Sequence, residues 1–148
     1  MKFIYRNGLG DLTVTIESEA IVRIDFGFED VCDNCDHQLA GQFKNEMDEY
    51  FAGTRREFEI PYLLTGSEFQ LKVWQALTTI KYGETCSYSD IAEMTGMPSA
   101  CRAVANAIGA NPLPIIIPCH RVVRKSGNLG GFRGGVELKK SLLKIEET

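Results

Sequence analysis

Apolar and polar residues alternate through the first 26 positions, and then the period changes. Phe3 and Tyr5 share one face over residues 2–6, Leu12, Val14 and Ile16 one face over Leu12–Glu17, and Val22, Ile24 and Phe26 one face over Ala20–Phe26. Each reads as a half-buried strand. Gly8-Leu9-Gly10-Asp11 and Ser18-Glu19 supply the turns between them. Over 37–52, Leu39, Phe43, Met47, Tyr50 and Phe51 recur at helical spacing, and Gly53 ends the run. Phe58-Glu59-Ile60 predicts one more short strand, and Pro61 marks a boundary.

Helical spacing dominates the second half. Ser67 with Gln70 forms a capping-box pattern, followed by a stripe of Phe69, Val73, Leu77 and Ile80 that ends at Tyr82-Gly83. Ser87 with Asp90 predicts a short helix over 88–95 that buries Ile91 and Met94. After the turn Thr95-Gly96-Met97-Pro98, Ser99 is expected to cap a third helix that runs to Ile108 and stops at Gly109. Two short helices joined by a Gly-containing turn are a helix-turn-helix pattern, which also occurs in proteins that never touch DNA. On the third helix, Cys101, Val104 and Ile108 face inward, and Arg102, Ala103 and Asn106 face outward. An outer face built largely of Ala and Ser with one projecting Arg suits close approach to a nucleic-acid groove. It equally describes an ordinary helix with one solvated Arg.

The 148 residues are 44% hydrophobic and 24% charged, which excludes disordered, collagenous and disulfide-dense classes. The uncharged core of residues 103–120 carries prolines and asparagines and is no membrane span. The N-terminus MKFIYRNGLGD lacks the apolar core of a secretion signal, so a cytoplasmic chain with reduced thiols is expected. The net charge of −4 conceals an asymmetry. Residues 1–65 hold 6 Lys+Arg against 13 Asp+Glu, residues 66–148 hold 10 against 7, and residues 99–145 hold 8 basic residues with only Glu137 opposing them. An acidic front and a basic back flag a polyanion-binding region, although a solvated charged face has the same composition.

The chemistry concentrates in Asn111-Pro112-Leu113-Pro114-Ile115-Ile116-Ile117-Pro118-Cys119-His120-Arg121. Three prolines in seven residues fix the backbone, and Ile115-Ile116-Ile117 has the composition of a buried strand. A Cys at the end of a rigid run, with His and Arg beside it, has the neighbours that favour a thiolate. A buried structural Cys beside a surface His remains the alternative at this level.

Ile117-Pro118-Cys119-His120-Arg121-Val122 resembles the active-site signature of the O6-alkylguanine-DNA alkyltransferases, the methylated-DNA–protein-cysteine methyltransferases. Further ordered matches carry the resemblance. They are Glu49-Tyr50-Phe51-Ala52-Gly53, Phe69 to Leu77 (FQLKVWQAL), Tyr82 to Tyr88 (YGETCSY), Arg102-Ala103-Val104 and Gly130 to Gly135 (GGFRGG). Coverage runs over residues 49–147, and the first 48 fit only as a shortened version of the family's variable N-terminal domain.

The resemblance implies an α+β protein: a small N-terminal ribonuclease-H-like α/β domain over 1–62, and a mainly helical winged helix-turn-helix domain over 63–148. It implies single-turnover repair of O6-alkylguanine, chiefly O6-methylguanine, flipped from duplex DNA that is bound through the minor groove by a monomer. By the same resemblance, Cys119 is the acceptor thiol, His120 the base acting through a water, Glu146 the carboxylate orienting it and Asn111 the residue holding the active-site turn. Tyr88 acts near the flipped base and at its 3′ phosphate, and Arg102 fills the vacated stack. The implied DNA face comprises Arg102, Tyr88, Ser99, Ala103, Asn106 and Arg121, and the implied alkylguanine pocket comprises Pro114, Val122, Gly130, Gly131, Phe132 and Arg133. No cofactor, metal or membrane is expected, and action is expected in the cytoplasm, at the nucleoid.

Arg133 departs from the small polar residue common at its place, and a cation there would contact phosphate or narrow the range of alkyl groups accepted. Cys32-Asp33-Asn34-Cys35-Asp36-His37 offers three ligands at a zinc-like spacing but no fourth, and we read it as a polar acidic loop. Cys86 and Cys101 are expected to be inert core thiols. A winged-helix regulator without chemistry leaves Cys119 unexplained, a lesion sensor lacks such a cysteine, and a thiol hydrolase would turn over.

Overall fold

Three antiparallel strands, β1 (Lys2–Tyr5), β2 (Leu12–Glu17) and β3 (Ala20–Phe26), form a sheet in the order β1-β2-β3. Phe3 pairs with Val14 and Val14 with Ile24, so the alternating apolar positions stack across the sheet. As the central strand, β2 also buries Thr13 and Thr15. The β2–β3 turn uses positive φ at both Ser18 (52°) and Glu19 (60°), the mirror-image turn that matches strand twist.

The computed structural model describes residues 1–27 and 37–147, in two units, Met1–Leu64 and Thr65–Glu147. The candidate ligands Cys32 and Cys35 lie outside the described residues. His37, the third of them, caps helix α1 (Gln38–Phe51), its Nδ1 accepting from the Leu39 amide at 3.1 Å. Helix α1 buries Leu39, Phe43, Met47 and Tyr50. Phe43 meets Phe3 and Tyr5 edge-on, at 5.6 and 5.8 Å between ring centroids.

Residues 58–60 form no strand. The buried Glu46 carboxylate of α1 accepts from the Glu59 and Ile60 amides at 2.8 and 3.2 Å, which takes the donors a ladder would need. Pairing begins just beyond, where Ile21 bridges Tyr62.

The second unit is mainly helical: α2 (Glu68–Thr78), α3 (Tyr88–Met94), α4 (Cys101–Gly109) and α5 (Val136–Ile145), with a two-stranded parallel pair of β4 (Cys86–Ser87) and β5 (Val122–Val123). Both capping boxes form, Ser67 with Gln70 and Ser87 with Asp90. Val73, Trp74, Leu77, Ile91, Ala92, Val104, Ala107 and Ile108 are buried where α2, α3 and α4 pack, and the Trp74 indole donates to the Ala107 carbonyl at 2.9 Å.

Several expectations fail locally. Helix α4 starts from Ala100 without a side-chain cap, so Ser99 is an exposed turn residue. Met94 is 53% exposed because α3 is only seven residues long and buries Ile91 and Ala92 instead. Cys86 and Cys101 are half-buried rather than core thiols, and the inward face of α4 is Val104, Ala107 and Ile108. Ile115-Ile116-Ile117 is no strand: Ile115 sits at φ 75° and Pro114 bridges Ile117 within a tight loop.

Candidate active site

The proline-rich loop is closed by one side chain. Asn111 is buried, its Nδ2 donates to the Ile117 carbonyl and its Oδ1 accepts from the Leu113 amide, both at 2.9 Å. The Ile117 amide closes the same loop onto the Leu113 carbonyl at 2.8 Å. This loop delivers Cys119 at the start of a short 3-10 helix, Cys119–Arg121, with the thiol residue 8% exposed. Burial pushes the Cys119 thiol above its ordinary range, and Asn111, Arg133 and Lys139 pull it back down.

The next two residues converge on the end of α5. His120 is fully buried, with Nε2 2.7 Å from Oε2 of Glu146, the C-cap of α5. The carboxylate accepts, so the His120 proton sits on Nε2 and the lone pair on Nδ1. Burial holds His120 below its ordinary pKa, and Glu146 opposes that shift; Arg121 and Lys139 add to it.

Arg121 does not reach solvent. It is 8% exposed, its Nε and Nη2 donate to the two oxygens of Glu146 at 2.8 and 3.2 Å, and Nη1 donates to the Ile80 carbonyl at 2.7 Å. The expected place of Arg121 on a DNA face is therefore corrected. Three of its five N–H donors are taken up by a buried carboxylate and a carbonyl, and the side chain is not displayed as an exposed phosphate contact.

The other wall of the site comes from Tyr88 and the loop before α5. Tyr88 opens α3, and burial pushes its phenol above the ordinary tyrosine range, with Arg124 opposing that shift and Cys119 adding to it. Gly130 sits at φ 75°, and a Cβ there would lie 2.9 Å from the Tyr88 hydroxyl, so a side chain would push the ring away. Gly131 and Arg133 continue this loop as exposed residues and Phe132 as a half-buried one, while Pro114 and Val122 are buried.

Sequence reasoning missed Lys139. It is 1% exposed, and its ammonium donates to the carbonyls of Val122 (2.7 Å), Gly131 (3.3 Å) and Leu129. Three acceptors use the three donors of a charged ammonium. Burial pulls its pKa down to about 8, and Cys119 opposes that shift. The available signal was helical spacing: Lys139, Leu142 and Glu146 share the buried face of α5. Arg102, Ala103 and Asn106 are exposed on α4, and Arg124 and Lys125 are exposed just after β5.

This arrangement can move a proton from a buried thiol to a histidine held by an ionised carboxylate, beside a phenol that remains a donor. Among the described residues no cluster of His, Cys, Asp or Glu could hold a metal, and no helix is long and apolar enough to cross a membrane.

Residues 3–64 match the family model described as 6-O-methylguanine DNA methyltransferase, ribonuclease-like domain, and residues 68–148 match its DNA binding domain. The constitutive methylated-DNA–protein-cysteine methyltransferase of Bacillus subtilis is 43% identical over 148 residues, covering 93% of this chain and 90% of that protein. The corresponding protein of Mycolicibacterium paratuberculosis is 54% identical over 101 residues, covering 68% of this chain but only 61% of its own length. The crystal structure of Mycobacterium tuberculosis OGT in complex with DNA superposes with a TM-score of 0.89 at 38% identity, covering 99% of this chain and 92% of that one.

Proposed function

The chain belongs to the 6-O-methylguanine DNA methyltransferase family, and on that premise we propose that it repairs O6-alkylguanine in duplex DNA by transferring the alkyl group to its own Cys119. The observation that carries this reading is the buried His120–Glu146 pair next in sequence to the buried Cys119, at the end of a loop fixed by Asn111.

The target alkyl group lies inside a stacked duplex, so the nucleotide must leave the stack before a buried thiol can reach it. The exposed residues Arg102, Ala103 and Asn106 support placing α4 against the minor groove, with Arg124 and Lys125 near the backbone. His120 takes the thiol proton through an intervening water, and Glu146 holds the imidazole. The thiolate attacks the alkyl carbon, a C–S bond forms and the C–O6 bond breaks. The electron pair stays on the guanine, and Tyr88 supplies the proton that the departing base needs. The product is a thioether, so one protein repairs one lesion, acting as a monomer in the cytoplasm without a cofactor. The experiment is stoichiometry: with methylated duplex in excess, one mole of methyl per mole of protein, on the peptide containing Cys119. A value of zero fits a binding protein without chemistry, and many turnovers fit a thiol hydrolase; either would overturn the reading.

Arg102 carries a separate prediction. Exposed among small residues, it contributes little to folding, so Arg102→Ala should keep its melting temperature and its reaction with free O6-alkylguanine base. Reaction with the same lesion in a duplex should fall about tenfold or more, because about 1.4 kcal/mol of lost support for the extruded state is a factor of ten. The loss should shrink opposite a weakly pairing base. Equal duplex rates for variant and wild type would return Arg102 to a solvated surface charge.

A further inference from the structure

Arg121 is a buried cation whose partners are a carboxylate and a carbonyl on two different segments. Its Nε and Nη2 grip both oxygens of Glu146, and its Nη1 holds the Ile80 carbonyl beyond α2. The guanidinium also lies over the Tyr82 ring, 5.7 Å from its centroid. Tyr82 in turn donates to the Ile145 carbonyl at 3.2 Å, and the Gly83 amide approaches Glu146 Oε1 at 3.4 Å. The end of α5 is thus tied to residues 80–83 around one carboxylate. That carboxylate is the group against which His120 rests.

We propose that Arg121 is a positioning residue for alkyl transfer, holding Glu146 ionised and aimed so that His120 keeps its basic nitrogen available to Cys119. This rests on the alkyl-transfer reading above. The physical reason is charge. Glu146 is fully buried, and a buried carboxylate with no cation takes up a proton rather than remain charged. A protonated Glu146 offers the imidazole a weak acceptor and can itself donate, which undoes the tautomer with its lone pair on Nδ1. A bidentate guanidinium prevents this and leaves Oε2 directed at Nε2. The charged groups acting on His120 are Glu146, Arg121 and Lys139, the last reaching it from α5. Of these, Arg121 alone both neutralises Glu146 and fixes its orientation. A guanidinium suits this place because its planar fork sets two parallel donors against both carboxylate oxygens while its third nitrogen reaches the Ile80 carbonyl, a geometry that the rotating donors of an ammonium do not fix.

The test is the pH–rate profile for methyl transfer from duplex DNA to Cys119 in the full chain, for wild type, Arg121→Lys and Arg121→Gln. Arg121→Lys should slow transfer about threefold or more at pH 7, and Arg121→Gln about tenfold or more. Arg121→Gln should recover toward the wild-type rate by pH 9, as Glu146 loses its extra proton, whereas Arg121→Lys, which keeps the charge and loses only the aim, should stay slow across the range. Removing Glu146 first should cancel the effect: in a Glu146→Gln background, Arg121→Gln should cost less than about a further twofold, because the two act as one unit. A folded Arg121→Lys with the wild-type rate and profile would overturn the proposal, as would an Arg121→Gln loss that is equal at pH 7 and pH 9. If Arg121→Gln does not fold, the Arg121→Lys profile decides alone. A wild type that transfers no methyl would instead sink the alkyl-transfer reading itself.

Discussion

Cys119→Ala and Cys119→Ser are expected to abolish alkyl transfer while leaving duplex binding largely intact. The acceptor must become a thiolate, and a serine hydroxyl ionises far too weakly to replace it. The exposed basic residues Arg102, Arg124 and Lys125 are untouched by either change. Two other thiols are described, Cys86 and Cys101. Cys86 is pushed above its ordinary range by burial and by the nearby carboxylates Asp90 and Glu84, which disfavour its thiolate. Cys101 lies at the start of α4, 3.8 Å from the Pro98 carbonyl and 4.0 Å from the Ser89 hydroxyl. Mass spectrometry of the alkylated protein, with gel-shift binding measured in parallel, decides the matter. Label on Cys86 or Cys101, with the Cys119 variants still active, would defeat the assignment.

What the sequence made legible was whatever depends on local periodicity. The first three strands, α1 and both capping boxes follow from spacing and side-chain chemistry within a few residues. What it hid depends on contacts across long separations. The Glu46 carboxylate that captures the residue 59 and 60 amides lies 13 and 14 positions away. Ile115-Ile116-Ile117 has strand composition, yet Asn111 bends it into a loop.

Arg121 and Lys139 were hidden for a shared reason. A basic residue in a basic segment reads as a solvated or DNA-facing charge, and only the fold shows which ones are buried. Arg121 meets Glu146 across 25 positions, and Lys139 meets the Val122 carbonyl across 17. The site thus combines a locally encoded turn that presents the thiol with a charge network assembled only when α5 docks. Its two buried cations act differently. Lys139 pulls directly on the Cys119 thiol, whereas Arg121 grips Glu146, the carboxylate against which His120 rests.

His120→Ala should slow transfer about a hundredfold or more at pH 7, the usual worth of a positioned general base, and Glu146→Ala should slow it less. The sign of the pH dependence follows from burial. His120 titrates below its ordinary value, so in the wild type it is a neutral base at pH 7 and the rate is flat from there toward pH 9. The thiol titrates above its ordinary range. Without His120 the reaction must wait for direct ionisation of that thiol. The rate of His120→Ala should therefore climb about tenfold per pH unit through the same range, since each unit multiplies the thiolate fraction by ten. Stability carries the opposite face of this shift. Below pH 6.5 the unfolded chain protonates His120 and the folded chain resists, so His120 lowers stability progressively as pH falls through that window. His120→Ala should lose that component of the acid sensitivity, measured as the slope of unfolding free energy between pH 5 and 6.5. Both rates equal to wild type from pH 6 to 9 would mean that Cys119 is activated without His120, with Arg133 and Lys139 the remaining cations that favour its thiolate.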